Sequence, residues 1–255
     1  MIIKTPPAAR ETLQAGRSSF GKRGKSAWKR PKGASRQEGA MDEGTLREMI
    51  CEVGRRMWQR GMVSANSGNI SARLDGDTVL ITPTLVSKGF MRPEQILAMN
   101  LDGEVLRGEG YPTTETPMHL RLYREREDLG GVVHAHPSFS TAFAVAGRPL
   151  DLHLVPEAVI FLGEVPLVPF QPPGSPELGE AVASYLAKYD AALLENHGVI
   201  CWGSDVEQAY HRLETVEFCA EVTFYAQALG GARELPAEPL ANLLRLREMM
   251  KGGGA

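Results

Sequence analysis

The chain has 255 residues, of which 43% are hydrophobic and 23% charged, and it carries a formal net charge of −3. No run of apolar residues reaches the roughly 18 that a membrane helix needs, so no membrane partner is expected. Cys51, Cys201 and Cys219 show no paired spacing, which argues against a disulfide scaffold and favours a reducing, cytoplasmic location.

The first forty residues differ from the rest in charge. They hold ten Lys/Arg against two Glu, whereas the remainder holds 18 Lys/Arg against 29 Asp/Glu. Residues 1–40 are rich in Gly, Ser, Pro and Ala and lack apolar periodicity, which predicts a disordered basic tail. A nucleic-acid arm or a targeting peptide is an alternative, but a secretory signal is excluded by the absence of an apolar core.

A simpler hypothesis for this tail is that it is a translated leader. Gln37-Glu38-Gly39 can be encoded by a purine-rich ribosome-binding sequence immediately upstream of Met41. If translation naturally starts at Met41, no nucleic-acid partner is expected. The predicted catalytic domain then covers residues 41–235, and residues 236–255 form a C-terminal helix and a flexible end.

The predicted elements begin with an amphipathic helix over Leu46–Arg60, which Gly61 ends. Two tight turns, Asp75-Gly76-Asp77 and Asp102-Gly103, predict antiparallel hairpins. A helix over about residues 114–127 is capped by Thr113 or Thr114. The remaining predicted elements are strands over 132–136, 165–170, 191–195 and 199–202, and helices over 139–145, 176–188, 205–229 (capped by Ser204) and 240–250. Frequent hairpins favour an α/β fold with a largely antiparallel sheet between helices.

Three histidines carry the strongest chemical signal. His134 and His136 stand two apart in a predicted strand, so they face the same side and form half of a metal site. His197, between a strand end and Gly198, would complete a three-histidine site with a position open for substrate. Taken singly, each also fits a satisfied core histidine or a turn residue.

Glu115 and its neighbours indicate a second kind of chemistry. A carboxylate in the first turn of a helix complements the helix dipole and needs no catalytic role. Thr113 and Thr114 at the same helix start form a natural anion site. The Asn66–Asn69 turn is another candidate anion cradle, to which Thr84 would add a hydroxyl. His119, one helical turn after Glu115, is predicted to be a fourth ligand or a hydrogen-bond partner of Glu115.

These pieces follow one another in the order of the class II aldolase/adducin head family, which the chain resembles from about residue 43 to 230. The resemblance implies a single-domain, three-layer α/β/α fold with a central, mainly antiparallel sheet. It also implies a homotetramer with active sites at subunit interfaces. The matching motifs are Ser67-Gly68-Asn69-Ile70-Ser71, Ile81-Thr82-Pro83-Thr84, Thr113-Thr114-Glu115 with Met118-His119, Val133-His134-Ala135-His136-Pro137, and Asn196-His197-Gly198 followed by Gly203.

The resemblance also implies roles for these residues. His134, His136 and His197 would bind a divalent metal, with zinc first and cobalt, iron or manganese as alternatives. Glu115 would be the acid/base residue and would bind the metal before substrate arrives. The phosphate of a small phosphorylated sugar would be held by Asn66, Gly68, Asn69, Thr84, Thr113 and Thr114.

The chain departs from the family at two points. Leu85 stands where the phosphate loop often has glycine, so no role is assigned to position 85. Tyrosines used by the fuculose-phosphate aldolase have no counterpart in residues 151–160 or after Leu235, which weakens the case for fuculose phosphate itself.

The leading prediction is a metal-dependent aldolase that cleaves a small, fuculose-1-phosphate-like ketose 1-phosphate to dihydroxyacetone phosphate and an aldehyde through an enediolate. A metal held by three neutral imidazoles would stabilise that charge as a Lewis acid. An epimerase, dehydratase or decarboxylase of a sugar or sugar-acid phosphate is the alternative; the epimerase carries Asp where this chain has Glu115. A non-catalytic, adducin-like interaction domain is a distant alternative, disfavoured by the three histidines.

Overall fold

The computed structural model describes residues 41–150 and 152–252; the predicted basic tail and leader lie outside these residues. Helix α1 (Glu43–Gln59) begins at Asp42, whose side chain accepts a hydrogen bond from the amide of Thr45. It ends before Gly61, which has a φ of +69°. Glycine adopts this left-handed conformation without steric cost, which explains the end of the helix.

Eight strands form one sheet in the order β4-β3-β2-β1-β5-β8-β7-β6. Both predicted hairpins are confirmed, because β1 pairs with β2 and β3 with β4 in antiparallel register. The neighbours β6 and β7 are parallel. The strands are β1 (Asn69–Arg73), β2 (Thr78–Ile81), β3 (Leu97–Asn100), β4 (Val105–Arg107), β5 (Gly131–Ala135), β6 (Leu167–Val168), β7 (Ala191–Leu194) and β8 (Gly198–Gly203).

Helices cover both faces of the sheet, which confirms the predicted three-layer α/β/α fold. One buried apolar cluster joins the sheet to α1, α3, α4 and α6, and a second joins its other face to α2 and α5. Val132 and Val133, adjacent in β5, belong to opposite clusters, as the alternation of strand side chains requires. The further helices are α2 (Thr116–Glu125), α3 (Ser138–Val145), α4 (Pro156–Phe161), α5 (Pro176–Ala183), α6 (Val206–Ala228) and α7 (Ala237–Gly252).

Several boundaries differ from the sequence prediction. Helix α6 is capped by Asp205, whose side chain accepts from the amide of Gln208, and not by Ser204. Strand β6 has two residues in place of the predicted six. Helix α4 was not predicted at all. Within the described residues, no helix combines the length and the apolar character that crossing a bilayer requires.

Candidate active site

The three predicted histidines meet at one end of the sheet. His134 lies in central strand β5, His136 directly follows that strand, and His197 lies in the turn between β7 and β8. Antiparallel pairing of β5 with β8 brings Ala135 opposite Val199 and so places this turn beside the end of β5. The three rings have centroid separations of 4.7 to 5.0 Å, and their ligand nitrogens lie within 4.8 Å of one another.

Two separate structural constraints explain why asparagine and glycine flank His197. Asn196 adopts a left-handed φ of +55°, which asparagine tolerates better than most residues. A Cβ at Gly198 would lie 2.5 Å from the carbonyl oxygen of Ala135 and 2.6 Å from Cδ2 of His136. Glycine is therefore required at position 198 by the close approach of β8 to β5 and His136.

His134 is fixed in one orientation by the backbone. Its Nδ1 donates to the carbonyl oxygen of Val199 at 2.9 Å, so in the neutral ring Nε2 carries the lone pair. That nitrogen lies 2.9 Å from Nε2 of His136 and 3.0 Å from Oε2 of Glu115. Metal-binding histidines usually donate one ring N–H to a backbone carbonyl in this way, which leaves the other ring nitrogen free to face the metal.

The carboxylate of Glu115 points toward the histidines and makes no hydrogen bond to the amides at the start of α2. The structure places it at the N-cap of α2, one residue outside the helix, where its side chain makes no capping bond. This corrects the prediction that Thr113 or Thr114 caps a helix containing Glu115. The carboxylate is buried, and Oε1 lies 3.3 Å from Nε2 of His197. Helix-dipole stabilisation alone does not account for this placement.

The electrostatics of the cluster favour neutral rings at His136 and His197 beside an ionised carboxylate at Glu115. Burial lowers the pKa of His136 to about 3 and that of His197 to about 4, and the charge of His134 acts in the same direction. Burial alone would raise the pKa of Glu115, but the charge and hydrogen bond of His134, with a hydrogen bond from Asn69, hold it well below its usual range.

This donor set fits a divalent metal. Oε1 of Glu115 and Nδ1 of His197 are buried without a hydrogen-bond partner in the described part of the chain. Nε2 of His134 and Oε2 of Glu115 lie 3.0 Å apart in the same buried space, an arrangement that a cation between them would satisfy. Three neutral imidazoles suit zinc first among the biological divalent metals, and they leave a coordination position open.

A chain of buried hydrogen bonds holds the carboxylate of Glu115 from behind. Nδ2 of Asn69 donates to Oε2 of Glu115 at 2.8 Å, and Oδ1 of Asn69 lies 2.5 Å from Nε2 of His119. Nδ1 of His119 lies 2.7 Å from Oγ of Ser71, which is 3.0 Å from the hydroxyl of Tyr123. His119 is therefore neither a metal ligand nor a direct partner of Glu115. It is connected to Glu115 through the side chain of Asn69.

The ionised carboxylate of Glu115 determines which atom donates in each hydrogen bond of this chain. Because Glu115 only accepts, Asn69 must point its NH₂ group at it and its oxygen at His119. His119 must then carry its proton on Nε2 and accept from Ser71 through Nδ1. Burial lowers the pKa of His119 to about 3, which keeps this ring neutral.

The predicted phosphate residues lie in three segments that contact one another through Thr82. Its hydroxyl accepts from the amide of Ile70, which directly follows the Asn66–Asn69 turn, and its carbonyl accepts from the amide of Thr113. Asn66 and Thr114 are exposed, Thr84 is half-buried, and Gly68 and Thr113 are buried. The side chain of Asn69 is engaged by Glu115 and His119, so a phosphate could accept only from the second hydrogen of its NH₂ group.

Three residues of this region escaped sequence analysis. Tyr123 had a usable signal, because it stands four residues after His119 on the same face of α2. Glu217 accepts from the amides of Phe139 and Ser140 and so fixes the turn that carries His136, but only the structure brings α6 to that turn. Lys88, in the 3₁₀ turn Lys88–Phe90, is buried beside the Asn66–Asn69 turn.

Comparisons with known proteins agree with this geometry. A profile of the class II aldolase and adducin N-terminal domain family matches residues 48–224. The L-fuculose phosphate aldolase of Methanocaldococcus jannaschii is 34% identical over 69% of this chain and 94% of its own length. The 3-oxo-tetronate 4-phosphate decarboxylase of Cupriavidus necator is 35% identical over 81% of this chain and 96% of its own.

A solved structure of similar fold supports the same family assignment. YgbL from Escherichia coli, described only as an aldolase, epimerase or decarboxylase, superimposes with a TM-score of 0.74 at 31% identity, covering 79% of this chain and 99% of its own. Sequence profile, relatives and fold all agree, and the chain therefore belongs to the class II aldolase and adducin N-terminal domain family.

Proposed function

We propose that this protein is a metal-dependent aldolase that cleaves a small ketose 1-phosphate to dihydroxyacetone phosphate and an aldehyde. The observation that carries the proposal is the burial of the Glu115 carboxylate against the imidazoles of His134 and His197, with Oε1 left without a hydrogen-bond partner among the described residues. Aldol cleavage needs a base for the substrate hydroxyl and a means to stabilise negative charge on the former carbonyl oxygen.

His134, His136 and His197 would hold the metal, which when bound supplies Lewis acidity for that oxygen. The residues of the chain itself perform the proton transfer. Glu115 is ionised at neutral pH and can accept the hydroxyl proton of the substrate, then return a proton to carbon. Asn69 holds Oε2 in place during this transfer, so the carboxylate does not rotate away.

The phosphate would be bound at a distance from the bond that breaks. The exposed Asn66 and Thr114 and the half-buried Thr84 lie in segments next to Glu115 and are available to a ligand. Binding energy from a group that does not react can orient the reacting atoms and so increase the rate. A ketose that lacks the phosphate should consequently lose turnover as well as affinity.

A decarboxylase is the second candidate, and a specific observation favours it. A relative named 3-oxo-tetronate 4-phosphate decarboxylase matches more of this chain than the fuculose phosphate aldolase does, 81% against 69%. Loss of CO₂ from a 3-oxo acid also leaves an enolate, whose charge the same metal would stabilise and which would take a proton drawn from solvent through Glu115. The two reactions differ in the bond broken and not in the groups required.

Product analysis separates the two candidates. Purified protein loaded with zinc would be incubated with a panel of ketose 1-phosphates and with 3-oxo-tetronate 4-phosphate. Release of an aldehyde with dihydroxyacetone phosphate supports the aldolase, and CO₂ release supports the decarboxylase. An epimer formed without either product would contradict both.

We also propose a cytoplasmic homotetramer with active sites between subunits. The support is a set of large apolar side chains that α4 and α6 leave 47% to 51% exposed, namely Phe161, Phe218, Phe224 and Tyr225. Exposed apolar side chains of this size often mark subunit contacts. Sedimentation velocity would show a species of four chains; a monomer at micromolar concentration would contradict the proposal.

A further inference from the structure

Lys88 is a buried cation that joins two loops of the candidate phosphate site. Its side chain is 1% exposed. Nζ donates to the carbonyl oxygen of Asn66 at 3.1 Å and to that of Val86 at 2.6 Å. We call residues 64–69 the first loop and residues 82–87 the second loop. Lys88 is thus bonded to the backbone of both.

Both loops hold a non-glycine residue in the left-handed region, at the position before the carbonyl that Lys88 binds. These residues are Ala65, with a φ of +49°, and Leu85, with a φ of +59°. Such residues cost stability and persist where surrounding contacts enforce them, often at ligand sites. In both loops the bond to Lys88 follows the strained residue directly, so one ammonium group stabilises two unfavourable backbone conformations.

The charge of Lys88 has no carboxylate partner among the ion pairs of the described residues; its two hydrogen-bond acceptors there are neutral carbonyl oxygens. Burial lowers its pKa to about 8, which shows that the charged form is destabilised where it stands. A buried ammonium group without a counter-ion is costly, and an anion bound at the adjacent loops would reduce that cost.

Helix α1 holds the Lys88 segment rigidly against the loops. A Cβ at Gly54 would lie 2.6 Å from the carbonyl oxygen of Lys88, so only glycine allows α1 to approach this closely. The ring of Trp58 covers Gly89 and packs edge-on against Phe90, with centroids 4.9 Å apart. Trp58 is 43% exposed at this contact, so its ring packs on the Lys88 segment and not in the core.

We propose that Lys88 is a positioning residue of the phosphate site, which fixes both loops through their carbonyl groups and supplies positive charge for a phosphate monoester dianion. The inference rests on the proposed function for the identity of the substrate, and it deepens that proposal by naming the source of charge. Sequence analysis assigned the phosphate to neutral hydroxyl and amide donors alone. The structure adds a cation behind them that is shielded from solvent.

The test uses the metal-loaded full chain with inorganic phosphate as the probe. Lys88→Met should weaken phosphate binding in calorimetry by about 10-fold or more, since hydrogen bonds from charged groups stabilise more than neutral ones. Lys188→Met is the matched control, because Lys188 is 67% exposed and pairs with Glu164 on the surface. With an active substrate, Lys88→Met should raise KM by a similar factor and leave kcat within about threefold.

A second measurement on the wild-type protein keeps the test independent of how the variant folds. In protein labelled with ¹³C and ¹⁵N at lysine, phosphate should shift the signals of Lys88 and leave those of Lys188 in place. Unchanged Lys88 signals at saturating phosphate, an absence of phosphate binding, or equal affinity in Lys88→Met and wild type would each overturn the inference. Lys88-dependent phosphate binding without turnover of any sugar phosphate would support it while contradicting the proposed function.

Discussion

The histidine cluster and the two loops joined by Lys88 lie in the same region but are built differently. The cluster stands at the ends of hydrogen-bonded strands, and a backbone carbonyl or a buried side chain fixes the orientation of His134 and of Glu115. The loops are held by hydrogen bonds of their backbone and of Thr82, and one buried cation joins them beside a left-handed residue in each. Side-chain identity therefore defines the first region, whereas backbone conformation defines the second.

Removal of a histidine should have the largest effect on the first region. His136→Ala takes away one of three imidazoles, and we expect loss of bound metal and a fall in turnover of at least about 10³-fold. Metal content by mass spectrometry and steady-state rates would measure both. His211→Ala, at an exposed position of α6, is the control and should keep metal and activity. Full metal occupancy in His136→Ala would remove His136 from the ligand set.

Glu115→Gln separates the carboxylate from the metal ligands. The amide is of nearly equal size but cannot take up a proton, so turnover should fall by about 10² to 10⁴-fold while the metal is retained. Zinc content and the rate of aldehyde release would be compared with those of Glu180→Gln, in which an exposed carboxylate of α5 is changed. Normal turnover in Glu115→Gln would exclude Glu115 from the reaction.

His119→Gln tests whether the buried hydrogen-bond chain orients Glu115. Outer-shell partners of this kind affect activity by roughly 10-fold or more, so a loss of that size is expected with the metal retained. Turnover equal to that of the wild type would show that Glu115 holds its position without the chain.

The same variant should change the pH dependence of stability. Burial lowers the pKa of His119 from 6.5 to about 3, so below pH 6.5 the unfolded chain gains a proton that the folded protein does not. The folded state is then destabilised as the pH falls, by up to about 2 kcal/mol between pH 6.5 and 5. Urea unfolding at these two pH values should show a smaller loss in His119→Gln than in the wild type.

A substitution in the second loop should have the smallest effect, and it should increase the stability of the protein and not decrease it. Leu85 is 80% exposed and has a φ of +59°, so its side chain gains little from packing while its backbone is strained. Leu85→Gly should stabilise the protein by about 0.5 to 1 kcal/mol. Glycine relieves the backbone strain, but part of that gain is lost because glycine makes the unfolded chain more flexible. Leu85→Ala keeps the strain and is the control in urea unfolding. Destabilisation by glycine would mean that the leucine side chain makes contacts that matter.

Sequence alone predicted the parts of the molecule that depend on residue type and local pattern. The hairpins, the sheet between helix layers and the shared face of His134 and His136 could be predicted because turn residues and strand alternation are local signals. The addition of His197 depended on the order of motifs that the chain shares with the family. The hydrogen-bond chain behind Glu115 could not, since Ser71 is far in sequence from His119 and Tyr123 and becomes their neighbour only through contact of α2 with β1. Lys88 was missed for a further reason, because a buried lysine in a loop carries no periodic signal.

The hydrogen bond from Asn69 makes the two oxygens of Glu115 unequal. Oε2 accepts from the amide and is held by a chain whose donors all point toward it, so a proton on Oε2 would oppose every link back to Tyr123. Oε1 is buried and has no hydrogen-bond partner within residues 41–150 and 152–252. A proton that enters or leaves Glu115 should therefore use Oε1, so the proton transfer has one defined oxygen of the carboxylate and does not exchange between the two.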